Sequence, residues 1–291
     1  MIAALFAILF STGLWWWFLY RYDRIEPESI KTILYVGVLG GLFSAIPAGV
    51  LNEIFKYTAG MEKISIEDFG KLSHPLLLSF SVYVGFNEEI CKAAATVLLL
   101  KKRPDFNEPI DALIYSMTVA LGFAAFENIG YAARYGWGVL ILRSFTAVPL
   151  HIGLASFWGI GIARAKFKEA GNYVKTLMSY VAAAAVLHGA YDYFQFMLPG
   201  GWLTLILALG FAYGVIHFSR KQLVYLLGQT PFVKAGTCPY CLTVNEITDR
   251  YCKACGKSLV QDYFSVCSSC GEKVNRQAKF CGKCGQELDM G

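Results

Sequence analysis

The stretch VGFNEEICKAAATVLLL, from Val84 to Leu100, has the apolar character of a membrane-spanning helix but contains Glu88, Glu89 and Lys92 near its centre. A charged residue in the middle of a spanning helix costs roughly 2.5–3.5 kcal/mol on insertion scales. Lys92 lies about one helical turn from both glutamates, so the three side chains form one cluster. Pairing within the cluster does not explain why three ionisable groups are present, and the stretch therefore indicates a functional site inside the membrane.

The whole chain has the composition of a membrane protein. Of its 291 residues, 56% are hydrophobic and only 16% are charged, which lies outside the range of ordinary soluble domains. Apolar runs of about 18 residues or more mark candidate spanning helices. About seven such runs occur, near residues 2–20, 33–55, 76–100, 110–133, 138–163, 174–197 and 201–219. We therefore predict an all-α polytopic membrane fold.

The basic residues of the loops predict the orientation. One alternating set of loops holds ten lysines and arginines and the other holds four, and Arg220 and Lys221 follow the last run. Lysine and arginine are enriched in cytoplasmic loops. The expected topology is multi-pass in the cell membrane, with the N-terminus outside and everything after residue 220 in the cytoplasm.

The C-terminal segment carries a cysteine repeat. Eight of the nine cysteines lie in four CxxC pairs, and the second couple of pairs follows 29 residues after the first: Cys238, Cys241, Cys252, Cys255, then Cys267, Cys270, Cys281, Cys284. Four thiolates on two tight turns are the ligand set of structural zinc. We predict two structural four-cysteine zinc sites in a small cytoplasmic zinc-ribbon domain. The expected domains are a core at 1–225, a linker at 226–237 and tandem ribbons at 238–291.

Other functions of the cysteines and of the ribbons are less consistent with the sequence. A thioredoxin-like redox motif needs one CxxC in a βαβ context, and disulfides are disfavoured in the reducing cytoplasm. Residues 238–291 contain seven cations and six anions, and each zinc held by four thiolates adds a formal charge of about −2. Nucleic-acid binding needs a concentrated basic face, so none is expected. The ribbons would bind a protein partner, or serve only as a structural appendage.

Polar residues recur in the next three apolar runs. The fourth run contains Glu127 in GFAAFENIGY, the fifth contains His151, and the sixth contains His188 and Asp192 in HGAYD. The helical rise of about 1.5 Å per residue places these groups at similar depth. Two carboxylates and a histidine in a water-poor cavity are the parts needed for amide hydrolysis, because one group takes a proton from water and another protonates the leaving amine or binds the oxyanion.

The motifs EEICK, FENIGY and HGAYD, in this order on successive helices, resemble the PrsW family of intramembrane proteases, relatives of the CAAX prenyl and bacteriocin-processing proteases. The resemblance covers roughly residues 75–195. It implies an endopeptidase that hydrolyses membrane-anchored proteins with a glutamate-activated water. The residues that match the family pattern, and that it implies as catalytic, are Glu88, Glu89, Lys92, Glu127, His151, His188 and Asp192. The tandem ribbons are an addition to this pattern.

Three alternatives remain open at this point. A catalytic metal bound by Glu89, His151, His188 and Asp192 is possible, although no HExxH motif occurs. Intramembrane carboxylates also mark ion paths, so an ion- or proton-coupled transporter is a second reading. A non-catalytic receptor or scaffold that signals through its ribbons is the third.

Overall fold

The computed structural model of the protein describes residues 2–23, 26–167, 172–198, 201–229, 236–238, 240–241, 243–246, 249–259, 264–275 and 280–288. The described residues form eight α-helices, one 3-10 helix (Ile66–Lys71) and two short strands. The helices are α1 (Ile2–Tyr20), α2 (Ile30–Thr58), α3 (His74–Leu100), α4 (Pro109–Tyr135), α5 (Gly138–Phe145), α6 (Ala147–Phe167), α7 (Tyr173–Met197) and α8 (Trp202–Leu227). The strands β1 (Phe264–Val266) and β2 (Lys273–Asn275) pair antiparallel. The predicted all-α membrane fold with a separate cysteine-rich region is confirmed.

In the described part of the chain, five segments are long and apolar enough to cross a membrane by length and composition: α1, α2, α4, the α5–α6 segment and α8. Helices α3 and α7 have 27 and 25 residues, a comparable length, and carry several of the polar groups. The outer helices expose apolar side chains, as Ile2 and Phe6 do on α1. Such a surface is expected where a helix faces lipid rather than water.

The predicted fifth run, 138–163, is two helices rather than one. The break lies at Thr146, whose backbone angles (φ −114°, ψ −74°) depart from helical values. Thr146 is itself hydrogen-bonded on both sides: its N–H donates to the Leu142 carbonyl (3.1 Å), and its carbonyl accepts from the Leu150 N–H (3.2 Å). The apolar run continues through the break, so hydropathy alone gave no signal of it.

Helix α4 lies at the centre of the bundle, where it packs against α2, α6 and α1. The α2–α4 contact is close because three glycines meet in it. A methyl group on Gly122 would overlap the Gly37 carbonyl oxygen, and one on Gly41 would lie 2.5 Å from the Gly122 carbonyl carbon. Small residues of this kind let spanning helices approach closely. The close packing fixes the position of α4, which carries Glu127.

The cysteine repeat forms two equivalent clusters. Each cluster brings four Sγ atoms within 4.8 Å of one another. The N–H of the first cysteine in every CxxC pair bonds a carbonyl five residues later, as from Cys252 to Lys257 (2.8 Å). Gly256, Gly271 and Gly285 follow three of the pairs with φ near +70°, a conformation that glycine adopts without strain. The two clusters fit the two structural zinc sites predicted. Helix α8 ends at Leu227, and residues 230–235 of the predicted linker lie outside the described residues.

Candidate active site

Lys92 on α3 lies at the centre of the polar cluster. Its side chain is completely buried, and its ammonium group is within hydrogen-bond distance of Glu89 Oε1 (2.8 Å), Glu88 Oε2 (3.3 Å) and His151 Nδ1 (3.0 Å). An ammonium has three donors and no acceptor, so these three contacts use all of its protons. His151 Nδ1 therefore accepts, and its proton lies on Nε2. Lys92 joins α3 to α6 at the depth of the glutamates.

Glu89 is fully buried, and both of its oxygens are occupied. Oε1 accepts from Lys92 and from His188 Nδ1 (2.9 Å), and Oε2 accepts from Trp158 Nε1 (2.9 Å). Glu89 does not line the cavity. Its carboxylate is therefore turned away from the cavity and toward Lys92, His188 and Trp158.

Glu88, the adjacent glutamate, does line the cavity. Asn52 Nδ2 donates to Oε1 (3.3 Å) and Lys92 to Oε2. Asn52 is itself held by Asn87, whose Nδ2 donates to Asn52 Oδ1 (2.7 Å) and to the Ala48 carbonyl (2.9 Å). The Glu88 carboxylate thus has a fixed orientation and an open side facing the cavity.

Glu127 on α4 has partners on two other helices. Its Oε2 accepts from Arg143 Nη2 (2.5 Å) on α5 and faces His151 Nε2 (3.1 Å) on α6. Arg143 also donates from Nε to Asn128 Oδ1 (2.6 Å), and its guanidinium lies 3.6 Å from the centre of the Tyr131 ring. Arg143 therefore fixes the Glu127 carboxylate beside His151.

His188 on α7 has carboxylates at both ring nitrogens. Nδ1 contacts Glu89 Oε1 at 2.9 Å, and Nε2 faces Glu88 Oε2 at 3.8 Å and Asp192 Oδ2 at 3.7 Å. The imidazole of His151 lies against it, with the ring centres 5.1 Å apart. His188 is thus the link between the buried Glu89 and the groups that face the cavity.

The structure brings all seven predicted site residues into one connected network around a cavity of about 850 Å³. Five of them line the cavity, namely Glu88, Glu127, His151, His188 and Asp192. The wall also includes Phe69 and Gly70 of the 3-10 helix and Leu198 after α7. The cavity therefore extends from the polar network to the end of the bundle where α2 and α7 end.

Sequence reasoning missed three residues of the network: Arg143, Trp158 and Asn52. An arginine inside an apolar run was a usable signal for Arg143, because intramembrane charges mark functional sites. Trp158 and Asn52 gave no comparable signal, since neither side chain carries a charge.

The cavity also has the groups needed to bind a divalent metal ion. Glu88, His151 and His188 each offer a ligand atom within 4.8 Å of the others, and Asp192 lies next to His188. Glu89 holds Nδ1 of His188 and leaves Nε2 free to ligate, which is the usual orientation of a metal-binding histidine. The alternative ligand set considered from the sequence contained Glu89, whereas the residues whose ligand atoms come together are Glu88, His151 and His188.

The charge of the network also fits a cation. Four carboxylates face two cations, which leaves a formal charge of −2 when both histidines are neutral. Buried charges are normally compensated by pairing, protons or metal ions. The donor set and the charge are therefore both compatible with a divalent ion.

Comparison with known proteins identifies the family. A family model described as PrsW family intramembrane metalloprotease matches residues 28–218, and a double zinc ribbon model matches residues 238–285. Protease PrsW of Clostridioides difficile (strain 630) is 29% identical over 190 residues, which cover 64% of this chain and 75% of that protein. Protease PrsW of Geobacillus kaustophilus (strain HTA426) is 33% identical over 180 residues, covering 60% and 72%.

Protease PrsW of Bacillus subtilis (strain 168) is 29% identical over 123 residues, which cover 42% of this chain and 56% of that protein. No solved structure matches the chain. The family model spans well over half of the 291 residues, including every residue of the polar network. The chain therefore belongs to the PrsW family of intramembrane proteases and is a membrane protease that carries a C-terminal double zinc ribbon.

Proposed function

We propose that this protease hydrolyses membrane-anchored proteins with a water molecule activated by the Glu88 carboxylate. One observation carries the proposal: of two adjacent glutamates, Glu88 faces the cavity and Glu89 is buried with both oxygens occupied. A general base must reach the water that it deprotonates. Glu88 meets this condition, and Glu89 does not.

In this mechanism a water molecule beside Glu88 Oε2 gives its proton to the carboxylate while its oxygen attacks the substrate's carbonyl carbon. Asn52 and Lys92 hold the carboxylate in one orientation. Holding reacting groups in place lowers the barrier, because their freedom is lost before the reaction begins.

His188 is the proposed acid or oxyanion donor. With carboxylates facing both of its nitrogens, the protonated ring forms favourable contacts on each side. Its Nε2–H then donates to the oxyanion or to the leaving amine. Asp192 and Glu89 orient the ring, and the Glu127–His151 pair orients Lys92 from the opposite side.

A divalent ion, when bound, would polarise the carbonyl and lower the pKa of a coordinated water. Glu88, His188 and His151 or Asp192 would hold it. His151 ligates only if Lys92 releases its Nδ1.

The proposed substrate is a protein anchored in the same bilayer, because the reacting groups lie in a cavity among spanning helices. We infer that the ribbons bind a protein partner and no nucleic acid, since their charges are mixed. The proposed topology, with the N-terminus outside and the ribbons in the cytoplasm, follows from the loop cations.

Labelling of new N-termini in membranes from cells that produce the wild-type protein or its Glu88→Gln variant tests the proposal. Peptides that appear with the wild type and with a Glu62→Gln control, and that are lost with Glu88→Gln, support hydrolysis by Glu88. Glu62 is exposed and does not line the cavity. Glu88→Gln membranes that yield the same new N-termini would overturn the assignment.

The zinc content of the purified protein distinguishes a mechanism without a catalytic metal from a metal-dependent mechanism. Two zinc ions per chain, falling to none when Cys238 and Cys267 are both replaced by serine, indicate that the ribbons hold all of the metal. Three ions that fall to one would show a third ion outside the ribbons, and its absence from the Glu88→Gln variant would assign Glu88 as a ligand.

A further inference from the structure

A second, smaller cavity lies between the C-terminal halves of α2 and α4, and we call it the lateral opening. It has a volume of about 350 Å³ and meets the active-site cavity at Glu88 and Glu127, which line both. One face of each helix forms its walls. The wall residues spaced four apart along these faces are Ala45, Gly49 and Glu53 on α2, and Phe126, Gly130 and Arg134 on α4. The active-site cavity therefore continues into the gap between α2 and α4.

The gap exists because α2 and α4 separate along their length. At the level of Gly41 the helices are in close contact, since a methyl group there would lie 2.5 Å from the Gly122 carbonyl carbon. Gly49 and Gly130 lie eight residues further along the two helices. A methyl group on either would meet no atom of the described chain within 4 Å. Because both of these glycines line the lateral opening, the helices have moved apart at this level.

A proline and two hydrogen bonds to α3 account for the separation. Pro47 lies inside α2 between the close and the separated levels. A proline within a helix removes one backbone hydrogen bond and bends the helix. After Pro47, α2 is bonded to α3: Asn87 Nδ2 donates to the Ala48 carbonyl (2.9 Å), and the Tyr83 hydroxyl donates to the Leu51 carbonyl (3.1 Å). Polar side chains of α3 therefore hold the second half of α2 against α3.

The rim of the lateral opening lies at the depth of the hydrocarbon. Val50 and Ile129, the chain neighbours of Gly49 and Gly130, are each 55% exposed. Gly130 lies roughly 8 Å and Glu127 roughly 12 Å before the last residue of α4, a helix about 40 Å long. The hydrocarbon core is about 30 Å thick, so both levels fall within it. The side chain of Glu127 is 25% exposed. A group of the active site is thus accessible from the side of the bundle.

We propose that the transmembrane segment of a protein substrate enters the active site through the lateral opening, an inference that rests on the proposed hydrolysis of membrane-anchored proteins. A helix with its side chains is about 10–12 Å wide, which is too wide for this volume. The opening therefore admits a few residues of the segment in an extended conformation.

The chemistry of the walls fits a peptide better than a lipid chain. Extended residues lose their helical hydrogen bonds, and at membrane depth this is tolerated only inside a protein cavity. Tyr131 and Arg134 line the opening and carry hydrogen-bond donors for the freed carbonyl groups. An acyl chain in the same place would remove water from Glu88 and Glu127 without replacing its hydrogen bonds, which is costly.

Blocking the opening with a bulky side chain tests the proposal in the full-length protein. Gly49→Trp and Gly130→Trp, on opposite walls, should each lose the Glu88-dependent new N-termini in membranes of the producing cells. Gly210→Trp is the control, because Gly210 lies on α8 and also has open space around it; it should cleave as the wild type does. All three variants should keep the wild-type Tm in detergent, because no atom of the described residues lies within 4 Å of the added Cβ. Wild-type cleavage by either wall variant would overturn the proposal.

Photo-cross-linking distinguishes a blocked route from a damaged site. In the Glu88→Gln variant, which leaves substrates uncleaved, p-benzoylphenylalanine replaces either Val50 at the rim or Ile206 on α8, which is 62% exposed. The proteins captured at position 50, identified by mass spectrometry, should be the same proteins that the wild type cleaves, and position 206 should not capture them.

Two outcomes of the cross-linking would overturn the proposal. One is loss of cleavage in the tryptophan variants without capture of the cleaved proteins at position 50, since the bulky side chains would then have damaged the site. The other is equal capture at positions 50 and 206. A wild-type protein that yields no Glu88-dependent new N-termini would instead refute the proposed function, and the entry route with it.

Discussion

The adjacent glutamates of α3 should respond very differently to the same substitution. Glu89→Gln removes the anion from between Lys92, His188 and Trp158 and leaves a buried ammonium with one fewer counter-charge. Breaking a buried ion pair by removing one partner costs about 3–5 kcal/mol. For a domain of this size, that free energy corresponds to a decrease in Tm of roughly 6–20 °C.

Glu88→Gln should leave the fold nearly intact. The glutamine oxygen can still accept from Lys92 or Asn52, and the side chain faces the cavity, where water can reach it. The expected loss is within about 1 kcal/mol, or a decrease in Tm of less than about 4 °C. Cleavage should nonetheless fall by about 100-fold or more, because the general base is gone.

Unfolding of both variants in detergent, together with the appearance of new N-termini in membranes, measures the two effects. A double variant, Glu89→Gln with Lys92→Met, supplies the internal control, since removing both charges should cost less than the sum of the single losses by about 0.5–3 kcal/mol. Equal destabilisation by Glu88→Gln and Glu89→Gln, or wild-type cleavage by Glu88→Gln, would refute the distinction drawn between them.

Three other substitutions give separate expectations. Arg143→Met should slow cleavage by about 100-fold by freeing Glu127. Arg143→Lys, which keeps the charge without the planar fork, should recover part of that rate; wild-type rates in both variants would show that charge and geometry at this position do not matter. Cys238→Ser should lower the zinc content, measured by elemental analysis, from two ions to one per chain, while cleavage by the core persists. A variant that is correctly inserted but inactive would contradict the prediction that cleavage does not depend on the ribbons. Gly122→Val should abolish the monodisperse peak in size-exclusion chromatography, because the valine side chain would overlap α2. Gly210→Val is the control, since space around Gly210 is open, and it should elute as the wild type does. Identical elution profiles of the two variants would argue against the α2–α4 packing.

Hydropathy and cysteine spacing were sufficient to predict the helical core and the two zinc sites. Both features depend on local chemistry: an apolar run must bury its backbone hydrogen bonds in a helix, and four thiolates on tight turns make a zinc site. The break at Thr146 was not predicted because the apolar run continues through it. A change of backbone direction inside an apolar run is decided by tertiary packing and leaves little trace in composition.

The membership of the polar network was predictable, but the roles within it were not. Glu88 and Glu89 lie about 100° apart on α3, so either of them could face the cavity as far as the sequence shows. The choice depends on where α6 and α7 lie, because Trp158 and His188 occupy the oxygens of Glu89. Arg143 gained its role in the same way, through a contact between α5 and α4 that no local pattern encodes.

The contacts of Lys92 also show how the membrane core tolerates its charges. Each of the three ammonium protons has an acceptor, and Glu89 has a donor for each of its oxygens, so the insertion cost of one group is largely offset by its neighbours. Apolar residues of similar volume would usually give at least equal stability in that position. The network is therefore poorly explained as a stabilising device, and of its two adjacent glutamates Glu88 is the one that faces the cavity. Asn52 and Lys92 hold the Glu88 carboxylate at the cavity wall, and a fixed carboxylate that water can reach is what the proposed general base requires.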